Sequence, residues 1–197
     1  METQLLYQSL NSYIHISEAD FALIEAVLGK RNVKRKRTIL NRGEISRYLY
    51  FVVAGSLRSF TIDPSASEHV IQFAFEGHWV SDLSSFITQS PGEIVIEAIE
   101  DSKVLLLPHH ELDLLLDKIP ALEKFFRHLY QRAYVALQKR VSMRESTTAK
   151  ERYKELIAKH PNIIKRIPLL SIASYLGVTA ESLSRIRGNM ANERKVE

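Results

Sequence analysis

Glu181 and Arg185 stand four residues apart in Thr-Ala-Glu-Ser-Leu-Ser-Arg-Ile-Arg-Gly, residues Thr179–Gly188. On a helix that spacing is little more than one turn, so a carboxylate and a guanidinium share one face. A guanidinium can donate in parallel to O6 and N7 of guanine, and a carboxylate can accept from the amino group of cytosine. Both chemistries need the side chains to be free and to be presented by a rigid element.

The residues around them supply that element. Ile172, Ala173, Leu176, Val178, Leu183 and Ile186 form an apolar set that would hold two short helices together, with Ala173 small where they cross. Gly177 suits the tight turn between them, because a left-handed φ costs glycine little. Thr179 is placed to cap the second helix. With Leu183 and Ile186 turned inward, Ala180, Glu181, Ser184, Arg185 and Gly188 share the outward face. This is the pattern of a helix-turn-helix whose second helix enters the major groove of double-stranded DNA. Ser182, Arg187, Lys165 and Arg166 are expected on phosphates, which position the protein rather than select sequence. A plain helical hairpin is the blander reading of the same apolar spacing.

The charge distribution agrees. The chain has 197 residues and a formal net charge of +4. Lys and Arg outnumber Asp and Glu 10 to 6 from Glu145 onward and equal them, 17 to 17, before it. Surplus positive charge on a small module suits a polyanion. The absence of cysteine excludes disulfides, thiolate zinc sites and Cys-ligated clusters. No signal peptide and no apolar run of membrane-spanning length are recognised, so the expected location is cytoplasmic, without membrane contact.

The preceding elements must carry and orient the hairpin. Ser17-Glu-Ala-Asp20 opens a helix with an apolar stripe of Phe21, Ile24 and Leu28, ended by Gly29. From Val33 to about Leu107 the period changes to short apolar or alternating runs: RTIL, YLYFVVAG, SLRSFTID, HVIQFAF, IVIEAIE and SKVLLL. Turn residues separate them, and many short strands at this spacing predict a roll, sandwich or barrel. Helical period returns after Pro108. Pro120 opens a helix to about Arg144, roughly 35 Å long, more than a small roll can cover. Leu122, Phe126, Leu129, Ala133, Ala136, Arg140 and Met143 make a 4-3-4-3 seam along it, interrupted by one Arg; a helix packed on its own β-domain is the blander reading, and a homodimer helix is the favoured one. A further helix is predicted from about Thr148 to Lys159.

This layout resembles the Crp/Fnr family of bacterial transcription regulators along nearly the whole chain. ILNRGEISRYLYFVVAGSLRSF (Ile39–Phe60) is similar to that family's strand–Gly-Glu–strand–Gly stretch, and TAESLSRIRG to its recognition helix. The short length, the SYLG and ESLSRIR wording and the lack of cysteine look like the small regulators of Bacteroidetes-type bacteria. The resemblance implies an α+β fold in three parts. Residues 1–118 would be a cyclic-nucleotide-binding-like β-roll (jelly-roll-like), 119–146 a dimerisation helix and 147–197 a helix-turn-helix domain. It also implies a dimer on a near-palindromic site, with RNA polymerase as a further partner.

Two departures shape the expectation. The family's cyclic-AMP binders hold the phosphate with a Gly-Glu-Leu and a later Arg-Ser-Ala; here Gly77–Asp101 aligns with that cassette. Ser81-Asp82-Leu83 replaces the first triplet, and Gly92-Glu93-Ile94 falls near the second. No Arg or Lys lies between Gly77 and Asp101, whereas Asp82, Glu93, Glu97, Glu100 and Asp101 do. A phosphodiester would lack its cation and face carboxylates. Where the long helix would meet the base, the chain offers Leu137 and Gln138 in place of a hydroxylic pair. The expected pocket is therefore degenerate, built around Trp79, Asp82, Leu83, Glu93, Leu137 and Gln138, with Trp79 read first as roll core and second as a surface on which an effector stacks. It takes no cyclic nucleotide, and no cofactor is expected. The second departure is that only Asn189–Glu197 follow the recognition helix, too few for a full two-stranded wing.

Other chemistry is thinly represented. The seven histidines lack the spacing of a cupin metal site, since His69 and His78 stand nine apart and His109 and His110 are adjacent. A cupin-like metal enzyme, and a roll signalling by protein contact alone, remain the competing readings. The basic run Lys34–Arg37 could touch DNA flanks or serve as a solvated strand edge.

Overall fold

The structure, a computed structural model, describes residues 2–196, with side chains through Asn192. Two short helices, α1 (Gln4–Asn11) and α2 (Glu18–Val27), precede eight strands. The strands are β1 (Gly29–Val33), β2 (Thr38–Leu40), β3 (Tyr48–Ala54), β4 (Leu57–Ile62), β5 (Glu68–Ala74), β6 (Trp79–Val80), β7 (Val95–Ala98) and β8 (Ser102–Pro108). Helix α3 (Leu83–Thr88) lies between β6 and β7. The rest of the chain is helical: α4 (His109–Lys118), α5 (Ala121–Ser146), α6 (Ala149–Lys159), α7 (Ile163–Arg166), α8 (Leu169–Leu176) and α9 (Ala180–Val196). No described helix is long and apolar enough to cross a membrane.

The strands form two antiparallel four-stranded sheets, ordered β1-β8-β3-β6 and β2-β7-β4-β5. The period of two in the strand sequences decides what each sheet touches. Tyr50 and Val52 point between the sheets, where they meet Val80, Ile96 and Val104. Leu49 and Phe51 point outward and are covered by α1, α2, α4 and the start of α5, through Leu6, Phe21, Leu112, Leu122 and Phe126. Phe60, Val70, Phe73 and Val95, on the outer face of the second sheet, are covered by residues of α6–α9. β3 therefore reads as a continuous apolar run because both of its faces are buried. Burial raises the Tyr50 phenol to about 12, while its hydroxyl donates to the Ile39 carbonyl at 3.2 Å.

The turns follow their residues. Gly55 has φ +86°, and a Cβ there would lie 2.4 Å from Ser102 Oγ and 2.6 Å from the Asp101 carbonyl. Gly43, at +83°, makes the other turn singled out in the sequence. Asp63 closes the β4–β5 turn by accepting from the amides of Ser65 (2.8 Å) and Ser67 (3.0 Å). The basic run Lys34–Arg37 is the turn between β1 and β2, with Lys34 bound to Asp101 at 2.7 Å.

Two expectations need correction. Gly29 does not end α2. That helix stops at Val27, Leu28 is extended, and Gly29 opens β1, a polar and mostly exposed strand with no apolar alternation to announce it. The seam of α5 is also displaced. Leu122, Phe126 and Leu129 pack on the chain's own roll. Farther along that face Arg140 donates to the Ile71 carbonyl and stacks 5.2 Å from the Tyr175 ring, while Met143 is half-buried. The large apolar residues of α5 left bare are Val135, at 61% exposure, and Tyr134, Leu137 and Val141, at 67%, 49% and 58%; the last three line up with half-buried Tyr130. They form their own 4-3-4 stripe, rotated by about one residue, or 100°, from the expected seam.

Candidate nucleic-acid interface and effector cassette

Helix α8, the Gly177 turn and α9 form the hairpin. Gly177 has φ +69°, and the Val178 amide reaches back to the Ala173 carbonyl at 3.0 Å, closing the end of α8. Leu183 is fully buried, Ile172 and Ala173 nearly so, and Val178 and Ile186 are half-buried in the same core. Thr179 accepts from the Ser182 amide at 3.2 Å and so caps α9. Arg152 braces the turn from α6, donating to the carbonyls of Thr147 and of Leu176 at 2.5 and 3.2 Å.

With those residues inside, Thr179, Glu181, Ser184 and Arg185 are exposed together, and Ser182 and Arg187 are half-buried beside them. Arg185 Nη2 lies 3.4 Å from Ser182 Oγ, which keeps the guanidinium over the first turn. Glu181 is held below the usual carboxylate range by its own amide, the Thr179 hydroxyl and the Arg185 charge. It is an ionised acceptor at neutral pH. α9 continues as helix through Val196, and no strand follows it among the described residues. Lys165 is exposed. Arg166 is not free for phosphate. Its guanidinium donates to Glu76 (2.8 and 2.9 Å), to Glu100 (2.5 and 3.0 Å) and to the Gly55 carbonyl (3.0 Å), all on the roll.

The cassette closes on itself. Asp82 is buried, with 3% exposure, and caps α3 by accepting from the Ser85 amide at 3.1 Å. Its other oxygen accepts from the Ile94 amide at 3.2 Å. The Gly92 backbone presses on this carboxylate so closely that a Cβ would come within 2.2 Å of it. The Ser85 hydroxyl ties the same loop to Ser46 by accepting from its amide at 2.9 Å. The Asp82 carboxylate thus meets the Ser85 and Ile94 amides within the loop.

The other expected pocket residues are dispersed. Leu83 is half-buried on α3. Glu93 is exposed and paired with Arg42 at 2.7 Å. Trp79 packs on Phe51 and Phe126 at 5.1 and 6.2 Å between ring centroids. Leu137 and Gln138 face solvent on α5 and are not joined to the cassette. Sequence reasoning missed Ser174. Its hydroxyl donates to the Glu68 carbonyl at 2.6 Å and accepts from the Val70 amide at 2.9 Å, so α8 satisfies the edge of β5. A serine on a helix carries no mark of a partner strand in its sequence.

Residues 30–118 match the model of the cyclic nucleotide-binding domain. The chain is 26% identical over 175 residues to the anaerobic regulatory protein of Haemophilus influenzae, covering 81% of this chain and 65% of that protein. It is 25% identical over 190 residues to the fumarate and nitrate reduction regulatory protein of Vibrio cholerae, covering 88% of this chain and 73% of that one. FixK2 from Bradyrhizobium japonicum shares the fold at a TM-score of 0.74 and 18% identity, over 85% of this chain and 86% of that one. With the β-roll, the long helix and the hairpin in this order, the chain carries a cyclic nucleotide-binding domain and is similar over most of its length to regulators of the Crp/Fnr type.

Proposed function

We propose that the protein acts as a homodimer that reads a near-palindromic DNA site and controls transcription there. The observation that carries this reading is the division of α9. Leu183 is fully buried, while Glu181, Ser184 and Arg185 stand exposed on the opposite side. In this reading Arg185 and Glu181 contact base edges, while Thr179, Ser182, Ser184, Arg187 and Lys165 contact the backbone. The stripe Tyr130–Tyr134–Leu137–Val141 pairs two copies of α5. The pairing sets the two recognition helices about one turn of DNA apart, roughly 34 Å. RNA polymerase is then the partner through which the bound dimer acts.

The roll does not respond to cyclic AMP or cyclic GMP in this reading. Asp82 holds the amides that a cyclic phosphate would need, and no cation of the cassette stands ready to replace it. The test has two arms. Selection from random duplexes with the purified chain should enrich a two-fold-related sequence, with affinity falling steeply as salt rises. Calorimetry with either nucleotide should show no heat of binding. Failure to enrich any sequence sinks the DNA reading. Binding tighter than about 10 μM, roughly −7 kcal/mol, sinks the degenerate pocket.

A further inference from the structure

A cavity lies at the edge of the cassette, where the roll, α5 and the helix-turn-helix module meet. It encloses about 760 Å³, within the range of small-molecule sites. Its floor is apolar: Trp79, Phe125, Leu129, Leu156 and Tyr175 contribute rings and branched chains. Ala133 and Ala136 leave the α5 wall open, because neither side chain reaches into the space.

Its rim is basic. Arg132, Lys139, Arg140, Arg152 and Lys159 line it, against a single acid, Glu155. That acid is taken by Lys139 at 2.5 Å. Among the described residues, Arg132, Arg140, Arg152 and Lys159 have no carboxylate partner. Arg132 stacks 5.3 Å from the Tyr13 ring, and Arg140 and Arg152 spend their donors on main-chain carbonyls. Cations around an apolar cavity without counter-charge are poorly compensated and favour an anion. The side-chain donors that are buried without any acceptor, among the described residues, are Trp79 Nε1 and Arg152 Nε, and both residues line this cavity. Both atoms are sealed from solvent, so the residues of this wall carry unmet donors.

We propose that this junction binds an organic anion with an apolar body, a carboxylate on an aliphatic or aromatic frame, with Arg152 and its basic neighbours on the head group and the Trp79 floor under the body. An inorganic anion would leave the floor unused. A neutral apolar molecule would bury the guanidinium groups without compensation. Of the aligned cassette, Gly77, His78 and Trp79 line the site, whereas Asp82, Leu83 and Glu93 do not. It touches both halves of the molecule, so its occupancy bears on how the recognition module is held. The inference does not rest on DNA binding, and its test is run without DNA.

Trp79 is the one tryptophan of the chain and lines the cavity, so its emission reports on a ligand bound there. The full-length protein is titrated with decanoate below its micellar range, and in parallel with decanol and decyltrimethylammonium. Decanoate should give a saturable change at a concentration at least about tenfold below decanol, the gain of a hydrogen bond to a charged group. Decyltrimethylammonium should give none. Arg152→Gln should weaken decanoate about tenfold and leave decanol unchanged. Ala133→Phe should abolish both responses, with Ala136→Leu as the milder filling variant if the first lowers the urea midpoint. No saturable change with decanoate, decanol binding as tightly as decanoate, or decanoate binding retained in a folded filling variant each overturns the proposal.

Discussion

At the scale of single residues, Asp82 and Arg185 answer opposite demands. Asp82 is buried and satisfies two amides, from Ser85 and Ile94. Asp82→Ala should therefore destabilise the roll by about 1–3 kcal/mol, read as a lower urea midpoint, because both amides lose their acceptor. An unchanged midpoint would mean that the loop finds other partners. Arg185 is exposed and its loss should leave the fold alone. On the selected DNA site, Arg185→Ala should cost about 1–3 kcal/mol of specific binding and relax the preference at one position in each half-site. Lys165→Ala should weaken specific and non-specific DNA equally and lower the salt slope by about one. Fluorescence anisotropy against salt separates the two. If Arg185→Ala weakened all sequences alike, the residue would be a phosphate contact instead.

At the scale of elements, α5 shows what a sequence discloses and what it withholds. Its length and its start after Pro120 were legible, because both depend on neighbours in the chain. Which stripe meets a second copy was not. Leu122, Phe126, Leu129, Ala133 and Ala136 repeat at seam spacing, yet that face is turned to the chain's own roll and cavity. Periodicity gives a face but not its partner. The same limit explains Arg166, which reads as a phosphate contact by charge and is taken by Glu76 and Glu100, distant in sequence. By contrast the hairpin's turn, cap and buried set were all visible, since they lie within Ile172–Ile186. The stripe left bare makes a discriminating prediction. Leu137→Lys should shift sedimentation toward monomer, and Tyr134→Lys should do the same, because a charge at a packed seam is strongly disfavoured. Gln138→Lys, one position off the stripe, should leave the dimer intact. Monomers from Gln138→Lys but not from Leu137→Lys would move the seam.

At the scale of the whole molecule, the roll and helices α6–α9 share a core and a polar seam that holds His78 and His160. Arg166 on α7 reaches Glu76 and Glu100 on the roll. Beside it, Phe75 lies 5.2 Å from the His160 ring and 5.1 Å from the Arg166 guanidinium carbon. His78 stands 6.4 Å from His160 between ring centroids. Desolvation holds both imidazoles below their ordinary 6.5, assisted by the Lys159 charge and, for His160, by His78 itself. A histidine lowered in the folded state favours folding only while neutral. Stability from this pair is complete above pH 6.5 and declines as pH falls from there through the lower folded values. Glu76 adds a second stage. Burial raises it, but the hydrogen bonds and charge of Arg166 outweigh burial and leave it below 4.5, so its contribution is lost at still lower pH. Thermal melts from pH 8 to pH 5 should therefore show a falling midpoint, with hydrogen exchange rising first in α8 and β5, the elements held across the junction. Replacing both histidines, His78→Gln with His160→Asn, should flatten the slope between pH 7 and pH 5 while leaving the later acid stage in place. A slope unchanged in that double variant would place the acid response outside the junction, on the remaining histidines.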